Sequence, residues 1–582
     1  MRIRPALGTV LSAAVVLAGV AVPVEARSAP TSHSRAPAES CEELARTTTE
    51  RMSLKHKIGQ LVMSQPTGRG LPDRRVQEQL QEWGFGTWII QNRGGEAANV
   101  ARYTNRMQTW AARSGAGVPL FIGADMENGV EQQVPDATGL PYPMGLGATR
   151  RVEDSALAGR ITGAEAAAVG LNWNFSPVVD VNTNPANPVI GVRSFGEEPG
   201  LVAEHGAAYT VAMQQQGVLA SAKHFPGHGD TSTDSHLGLP SVTYDRQTLE
   251  DVHLRPFQEA VDAGVDSLMT AHVVVEAVDP ELPATLSPKV LTGLLRGQMG
   301  FQGLIITDGM GMRAIADNWG TGEAGVMAIQ AGADVILAGG TAELTAEALH
   351  QAVLSGELGE DRIDESVRRI LTVKCDYGLF ERPYASAAEA DRVVGNPAHL
   401  QAATGIGHRS ITQVHDDGVL PLPADQTVAV VGPERADEVA ALLVERGTDA
   451  SAHETSRRPD SAAVTAAVAA TADADVVVAT TFTFSTMPAQ QRALLDALLA
   501  TGKPVVVVSL GIPYDLAGAA EADAALATYA LNVNAVSSEP VLEALADVLV
   551  GDAEPGGRLP VTVGELYPYG TGAGQPAPGA TG

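Results

Sequence analysis

The feature that most constrains the fold is a series of eight short apolar runs, each separated from the next by a segment with helical character. Apolar strands that alternate with helices pair in parallel and are covered on both faces, so the pattern predicts an α/β fold. Eight such units over about 330 residues favour a (β/α)8 barrel with insertions. An open doubly wound sheet is the alternative. The predicted strands are 61–63, 87–90, 120–122, 173–179, 219–222, 267–269, 304–306 and 335–337.

Ionisable side chains come at the carboxyl ends of four of these strands. Asp125 follows the third strand, and Lys223 and His224 follow the fifth. His272 follows the sixth strand and Asp308 follows the seventh. A solvated strand end would explain any one of them alone. In a parallel barrel, however, active sites are built from several strands at this face, so the four positions together predict a site there.

The segment 221–236, SAKHFPGHGDTSTDSH, contains three histidines and two aspartates. A metal site is one interpretation, but the glycines and the proline predict an irregular loop that lacks the close histidine pairs of helical zinc sites. A different pairing fits better. Asp234 and His236 are two residues apart, with only Ser235 between them, so in an extended loop the carboxylate can accept from the imidazole Nδ1–H. This pairing orients the ring and favours its protonated form, which makes His236 a candidate proton donor.

A proton donor of this kind needs a partner, and Asp308 is the candidate. It follows an apolar strand at the predicted barrel mouth, where its carboxylate could attack an electrophilic carbon. An acid and a nucleophile on opposite sides of a glycosidic bond would make a retaining glycosidase, although the usual pair is two carboxylates. The residues therefore favour glycoside hydrolysis with neither a metal nor a cofactor.

The same residues resemble a known family, the β-N-acetylglucosaminidases of glycoside hydrolase family 3. The resemblance rests on KHFPGHGD at 223–230, followed by DSH at 234–236. It covers nearly the whole mature chain and implies a TIM-type (β/α)8 barrel followed by a smaller α/β sandwich domain. The further matching segments are 140–149, 175–181, 193–195, 269–272 and 304–308 in the first region, and 418–422 and 557–561 in the second.

The resemblance implies a role for each matching residue. Asp308 is expected to be the nucleophile that forms a covalent glycosyl-enzyme, and His236, paired with Asp234, to be the general acid and base. His228 and Asp230 are expected to shape the loop. The implied substrates are chitin- or peptidoglycan-derived oligosaccharides that lose a terminal N-acetylglucosamine. The residues implied to hold sugar hydroxyls are Asp125, Arg193, Lys223 and His224, and those implied to line or support the pocket are Asp180 and His272.

One departure from the family pattern follows Asp125. The family usually carries Asp-Gln-Glu-Gly-Gly-Arg-Val, whereas residues 125–131 are DMENGVE, so that Val130 replaces arginine. The aglycone side of the site is therefore expected to differ. Two other functions stay open. One is a β-N-acetylglucosaminide phosphorylase with the same residues, since a histidine donor does not repel phosphate as a carboxylate would; the other is a non-catalytic cell-wall sugar-binding protein.

Changes in composition along the chain predict its organisation. Strand-like runs at 427–431, 476–479 and 505–509, with helices between them, predict the second, smaller α/β domain. The predicted boundaries are a signal peptide at 1–26, a flexible tether at 27–41, the barrel at 42–380, a linker at 381–424, the sandwich domain at 425–566 and a disordered tail at 567–582.

The first residues have the layout of a secretory signal. Two arginines precede an apolar run at 6–22, and a small-residue site ends at Ala26. We therefore expect a secreted protein, with an uncleaved anchor as the alternative because a spanning helix needs only about 17 apolar residues. An exported chain can pair its two cysteines, Cys41 and Cys375, and the first and last elements of a closed barrel are neighbours. Two free thiols are the alternative to this disulfide.

The net charge of −29 bears on the partners. A field of this sign repels nucleic acid and anionic membrane surfaces, so neither is expected to bind. The expected partners are oligosaccharides, no membrane contact is expected beyond export, and the assembly is expected to be a monomer or a homodimer.

Overall fold

The computed structural model describes residues 40–66, 72–91, 95–483, 485–532 and 538–574. The predicted signal peptide and nearly all of the predicted tether lie outside these residues, as does the second half of the predicted tail. Within the described ranges, each helix is too short or too polar to cross a membrane.

Eight parallel strands form the first sheet. Each pairs with its neighbours in the chain, the eighth also pairs with the first, and a bridge from Ile306 to Val335 joins the seventh to the eighth. The sheet therefore curves round into a (β/α)8 barrel, which confirms the predicted fold and excludes the open doubly wound sheet. The strands are Val62–Ser64, Thr87–Ile89, Phe121–Ala124, Trp173–Asn174, Leu219–Phe225, Ser267–Thr270, Leu304–Ile306 and Ile336–Gly339.

All eight predicted strands are present, and the fourth differs most from its prediction. It ends at Asn174 instead of Val179. Pro177 lies within the remaining apolar run and has no N–H to donate to a ladder. Beyond it, only a bridge from Val178 to Lys223 continues the pairing. The end of this run is therefore a loop, and it leads into Asp180 at the barrel mouth.

Helices surround the barrel. Several begin at a capping side chain: Asp73 accepts from the Val76 N–H, and Glu198 accepts from the Leu201 N–H. The helices of this region are Cys41–Arg51, Leu54–Leu61, Arg74–Glu82, Ala97–Ala111, Pro143–Ala148, Val152–Ala168, Pro199–Gln214, Arg246–Thr248, Arg255–Asp262, Arg313–Ala316, Thr321–Ala331, Ala342–Ser355, Glu360–Asp376, Ala387–Val393 and Pro397–Ser410, with π-helical segments at Leu249–His253 and Lys289–Gln298.

Side chains fill the barrel interior. The ring of Trp173 meets the ring of Phe121 edge to face, with centroids 5.2 Å apart. The Trp173 indole N–H donates to Ser221 Oγ at 2.8 Å, and that hydroxyl donates to Ser267 Oγ at 2.8 Å. Because these side chains occupy the interior and contact one another, we expect a ligand to bind at the ends of the strands.

The second domain is a six-stranded sheet. Five of its strands are parallel, and the first pairs antiparallel with the last in the chain. Its strands are Thr412–Asp416, Thr427–Pro433, Asp449–Thr455, Val476–Thr481, Val505–Ser509 and Ala524–Ala527, and its α-helices are Ala436–Glu445, Ser461–Ala470, Ala489–Leu499 and Glu539–Val550.

Two predicted boundaries of this domain need correction. Its first strand, Thr412–Asp416, lies inside the segment predicted as a linker to 424, because a strand with the sequence TQVHD has no apolar run to reveal it. At the other end, Tyr567 was predicted to begin a disordered tail, but its ring is buried and its hydroxyl lies 2.7 Å from His415 Nδ1. The folded domain therefore extends from Thr412 to beyond Tyr567.

The two ends of the barrel region meet. Helix Cys41–Arg51 packs against helix Glu360–Asp376, and Cys41 forms a disulfide with Cys375. The bridge spans 334 residues of the sequence and thus encloses the whole barrel.

The second domain packs directly on the barrel. Barrel residues Tyr142, Met144 and Val192 lie in one apolar cluster with side chains of the second sheet. Thr562 of the second domain donates from its N–H and its hydroxyl to the Glu197 carboxylate of the barrel, at 2.8 and 2.7 Å. The contact therefore combines apolar burial with hydrogen bonds, and it brings the second domain close to the loops of the barrel mouth.

Candidate active site

Four charged side chains from three barrel segments meet at the mouth. Lys223, on the fifth strand, donates from Nζ to Asp125 Oδ1 at 2.7 Å. The same ammonium lies 2.7 Å from Glu127 Oε1. Arg193 closes the network with two hydrogen bonds of 2.8 Å to the Glu127 carboxylate. The structure therefore brings together Asp125, Arg193 and Lys223, which the sequence predicted to hold sugar hydroxyls.

Glu127 is the member of this network that the sequence analysis missed. Burial opposes ionisation of its carboxyl, but the charges of Arg193 and Lys223 outweigh burial and hold its pKa below the usual range. A signal for it was present in the sequence: Asp125 and Glu127 are two residues apart, so in extended chain both carboxylates point the same way. Glu127 neutralises the two cations and holds them in place for a polar ligand.

Asp180 and His224 form a second pair at the mouth. Asp180 is fully buried, and its carboxylate accepts from His224 Nδ1 at 2.7 Å and from the backbone N–H of His228 at 2.7 Å. Burial raises the pKa of Asp180, but His224 and the N–H of His228 lower it by more. Because a carboxylate only accepts, Nδ1 of His224 carries the proton, and Nε2 is the ring nitrogen left for a ligand.

Asp308 follows Thr307 at the carboxyl end of the seventh strand. The N–H of Gly309 donates to its Oδ1 at 2.7 Å. His272 Nε2 donates in turn to the Gly309 carbonyl oxygen at 3.0 Å, and His272 Nδ1 lies 2.8 Å from the hydroxyl of Thr285. His272 therefore contacts the residue next to Asp308; its implied role in lining or supporting the pocket stays a prediction.

The carboxyl of Asp308 is held in its charged form. Burial raises its pKa, but His272, His224, the Gly309 N–H and Lys223 together lower it from 3.8 to about 2. Asp308 is therefore ionised at neutral pH. An ionised carboxylate in a mouth lined by cations and N–H groups is the state that nucleophilic attack requires.

Asp234 and His236 pair as the sequence predicted. Asp234 Oδ1 accepts from His236 Nδ1 at 2.8 Å and from the backbone N–H of His236, also at 2.8 Å. The His236 side chain is 60% exposed, so a ligand can reach its Nε2. The loop is tied to the segment that follows Asp308, because the N–H of Ala314 donates to the Ser235 carbonyl oxygen at 3.2 Å.

The three histidines of segment 221–236 have different partners. His228 is buried within the loop, where Nδ1 lies 2.7 Å from Thr231 Oγ1 and Nε2 lies 3.0 Å from Ser235 Oγ. Burial, and then the charge of His224, lowers the pKa of His228 to about 4, so its ring is neutral. Asp230 accepts from the Thr183 hydroxyl at 2.8 Å. Within the described ranges, no three His, Cys, Asp or Glu side chains are grouped to hold a metal ion.

The departure from the family pattern at Val130 lies next to this site. Val130 is fully buried and begins a short 3-10 helix, Val130–Gln132. A buried apolar side chain therefore stands where the family usually carries a charged one.

Two family models match the chain. "Glycosyl hydrolase family 3 N terminal domain" matches residues 53–373, and "Glycosyl hydrolase family 3 C-terminal domain" matches residues 414–569. The first match contains every residue of the site described above, and the second covers most of the six-stranded domain.

Individual relatives and solved structures agree with these matches. Beta-hexosaminidase A from Pseudoalteromonas piscicida is 32% identical over 524 residues, which are 80% of this chain and 87% of that protein. A beta-N-acetylglucosaminidase/beta-glucosidase from Cellulomonas fimi is 33% identical over 341 residues, which are 57% of this chain and 60% of that protein. The solved family 3 beta-N-acetylglucosaminidase from Paenibacillus sp. str. FPU-7 is 36% identical with a TM-score of 0.82, covering 88% of this chain and 99% of that chain.

Proposed function

The chain belongs to glycosyl hydrolase family 3 and is a glycoside hydrolase; from this premise we propose that it is a retaining exo-β-N-acetylglucosaminidase. It would remove terminal N-acetylglucosamine from chitin- or peptidoglycan-derived oligosaccharides. The activities named for its relatives support the substrate class. The observation that carries the mechanism is the ionised Asp308 at a strand end beside a loop that holds the Asp234–His236 pair.

In the first step, an Asp308 oxygen attacks the anomeric carbon from the face opposite the leaving group. The bond from that carbon to the glycosidic oxygen breaks, and His236 gives its Nε2 proton to the departing oxygen. Asp234, hydrogen-bonded to Nδ1, holds the ring in orientation and stabilises its charged form before transfer. The products are a free alcohol and a sugar esterified to Asp308.

In the second step, water attacks the anomeric carbon from the side that the leaving group has vacated. His236 Nε2 takes the proton of this water, and the ester bond to Asp308 breaks. Two inversions at one carbon give net retention of configuration. The step regenerates the protonated imidazole and the carboxylate, so the cycle uses only side chains of the protein and water.

The charged network fixes the sugar for both steps. Lys223 and Arg193 are donors to sugar hydroxyls, Asp125 accepts from them, and His224 contacts them through Nε2. Glu127 compensates the two cations in the buried floor of the site. Donors and acceptors held by one another in this way need little reorganisation when the substrate binds.

Replacement of the nucleophile tests the proposal. For Asp308→Asn we expect kcat on an aryl β-N-acetylglucosaminide to fall by roughly 10³-fold or more, because an amide cannot form the glycosyl-enzyme. The matched control is Asp317→Asn, an exposed aspartate nearby in the chain that pairs with Arg313. Near-normal turnover by Asp308→Asn would contradict the mechanism.

The products complete the test. Incubation in phosphate buffer with analysis of the released sugar should give free N-acetylglucosamine with the β configuration retained at the first turnover. Sugar 1-phosphate as the main product would instead make the protein a phosphorylase. An initial α product would exclude the double displacement.

We also propose that the protein is exported through the N-terminal signal. The apolar run at 6–22 and the small-residue site ending at Ala26 motivate this proposal. A disulfide that encloses the barrel supports it, because such bonds persist in oxidising compartments.

A further inference from the structure

The loop that carries His236 is supported from behind by one short segment of the barrel. We call residues 226–238 the acid/base loop and residues 182–187, with the sequence NTNPAN, the asparagine segment. Asn184 Nδ2 donates to the Thr231 carbonyl oxygen at 3.1 Å, and Asn187 Nδ2 donates to the His228 carbonyl oxygen at 2.9 Å. The backbones also touch, since a Cβ on Gly229 would lie 1.9 Å from the Val181 carbonyl oxygen.

The support continues through His228 to the proton-transfer pair. Thr231 Oγ1 and Ser235 Oγ contact the two ring nitrogens of His228, at 2.7 and 3.0 Å. Ser235 lies between Asp234 and His236 in the sequence. A displacement of the asparagine segment would therefore reach the imidazole of His236 through the hydrogen bonds that His228 makes with Thr231 and Ser235.

One side chain of the asparagine segment points away from the acid/base loop. Asn182 is buried, and its Nδ2 donates to Tyr514 Oη at 2.9 Å. Tyr514 lies on the second domain, in the 3-10 helix Pro513–Gly518. Asn182 Oδ1 finds no hydrogen-bond partner among the described residues, so the Tyr514 hydroxyl is the side-chain partner that holds this amide.

The surroundings of this contact show why a single hydroxyl matters. A cavity of about 340 Å³ lies beside it, lined by Pro185 and Ala186 of the barrel and by Met487, Tyr514 and Asp515 of the second domain. Side chains do not fill this space, so packing cannot replace the hydrogen bond if the hydroxyl is removed. Burial raises the pKa of Tyr514 above its usual value, so the hydroxyl keeps its proton.

We infer that Tyr514 is a positioning residue for proton transfer: it holds Asn182, and through the asparagine segment and His228 it orients His236. The second domain thereby contributes to the chemistry of the barrel without touching the substrate. This inference rests on the proposed role of His236 as the general acid.

The experiment compares leaving groups in Tyr514→Phe. Aryl β-N-acetylglucosaminides with a poor leaving group need a proton from His236. Activated dinitrophenyl glycosides do not, because dinitrophenolate leaves without protonation. With the poor leaving group we expect kcat/KM, which reports formation of the glycosyl-enzyme, to fall about tenfold, a part of the 10²–10⁴ that a well-placed acid supplies. With the activated substrate, whose glycosyl-enzyme forms without the acid, we expect kcat/KM to change by less than about twofold.

The matched control is Tyr529→Phe. Tyr529 is another buried tyrosine of the second domain, and its hydroxyl lies 3.0 Å from Thr412 Oγ1, inside that domain. The Tyr529→Phe variant should change kcat/KM equally for both substrates, and its Tm should resemble that of Tyr514→Phe. In a His236→Ala background, Tyr514→Phe should have no further effect on the poor substrate, since the group that it positions is gone.

The outcomes separate the two proposals. If His236→Ala lowers kcat/KM equally with both leaving groups, the acid assignment fails and this inference fails with it. If His236→Ala discriminates between the leaving groups but Tyr514→Phe does not, the acid assignment stands and the positioning role of Tyr514 is overturned.

Discussion

At the scale of residues, the site depends on how neighbours set the charge of buried carboxyls. Burial alone would favour the neutral acid at both Glu127 and Asp308, yet nearby cations and N–H groups lower the pKa of each. The Glu127 carboxylate pairs with Arg193 at 2.8 Å and with Lys223 at 2.7 Å. Among the described residues, the Asp308 carboxylate accepts one hydrogen bond, from the N–H of Gly309, and so stays available to react.

The charge state of Asp308 predicts the acid side of the pH profile. Its carboxyl reacts as the anion and has a pKa of about 2, lowered from 3.8, so activity is lost only as the pH falls through about 2. With an activated aryl substrate, which needs no protonation, kcat/KM should change less than about twofold from pH 6 to pH 4. The measurement is kcat/KM across that range, with activity rechecked after return to pH 6.

An ionisation with a midpoint between about pH 4 and pH 5 that reverses on return to pH 6 would contradict this prediction, because that is the range of an ordinary carboxyl. A loss that does not reverse would report unfolding instead of the nucleophile.

At the scale of elements, the barrel is closed twice, once by its strands and once by its helices. The eighth strand pairs with the first, and helix Cys41–Arg51 packs on helix Glu360–Asp376. The disulfide between Cys41 and Cys375 makes the second closure covalent. A cross-link over so long a stretch of chain restricts the unfolded state strongly, because the entropy of loop closure increases with loop length.

Reduction of this disulfide should therefore lower the stability of the barrel. We expect a loss of about 2–5 kcal/mol in the free energy of unfolding and a Tm several degrees lower in the presence of reductant. The measurement is thermal unfolding with and without dithiothreitol. A Cys41→Ala/Cys375→Ala double variant is the control, since its Tm should not respond to the reagent. An unchanged Tm after complete reduction of the native chain would refute the stabilising role.

At the scale of the whole molecule, the second domain and the barrel act as one folded unit. Apolar burial around Tyr142, the Thr562–Glu197 hydrogen bonds and the Tyr514–Asn182 hydrogen bond join them at separate points. The net charge of −29 does not oppose the neutral sugar that the proposed function assigns to the site.

Export is the prediction that belongs to this scale. Expression of the full chain in a secreting bacterial host should release it to the medium, and N-terminal sequencing should find Arg27 as the first residue of the mature protein. Retention of the intact N-terminus in the membrane fraction would show that the apolar run acts as an anchor instead.

The sequence by itself determined the fold class and most of the chemistry. All eight barrel strands are visible as apolar runs because each is buried on both faces, and Asp234 and His236 pair because they are two residues apart. These features are local: they depend on residues that are close in the chain or on a repeated pattern. The strands Thr412–Asp416 and Asp449–Thr455 were not predicted, because the prediction depended on apolar runs and these strands contain few apolar residues.

Only the tertiary structure decided the contacts between distant segments. Glu127 meets Arg193 across 66 residues, and Asn182 meets Tyr514 across 332 residues. Such partners leave no spacing pattern in the chain, because packing of whole elements and not local geometry brings them together. The residues that perform the proposed chemistry could therefore be read from the sequence, whereas the residues that hold them in position required the folded molecule.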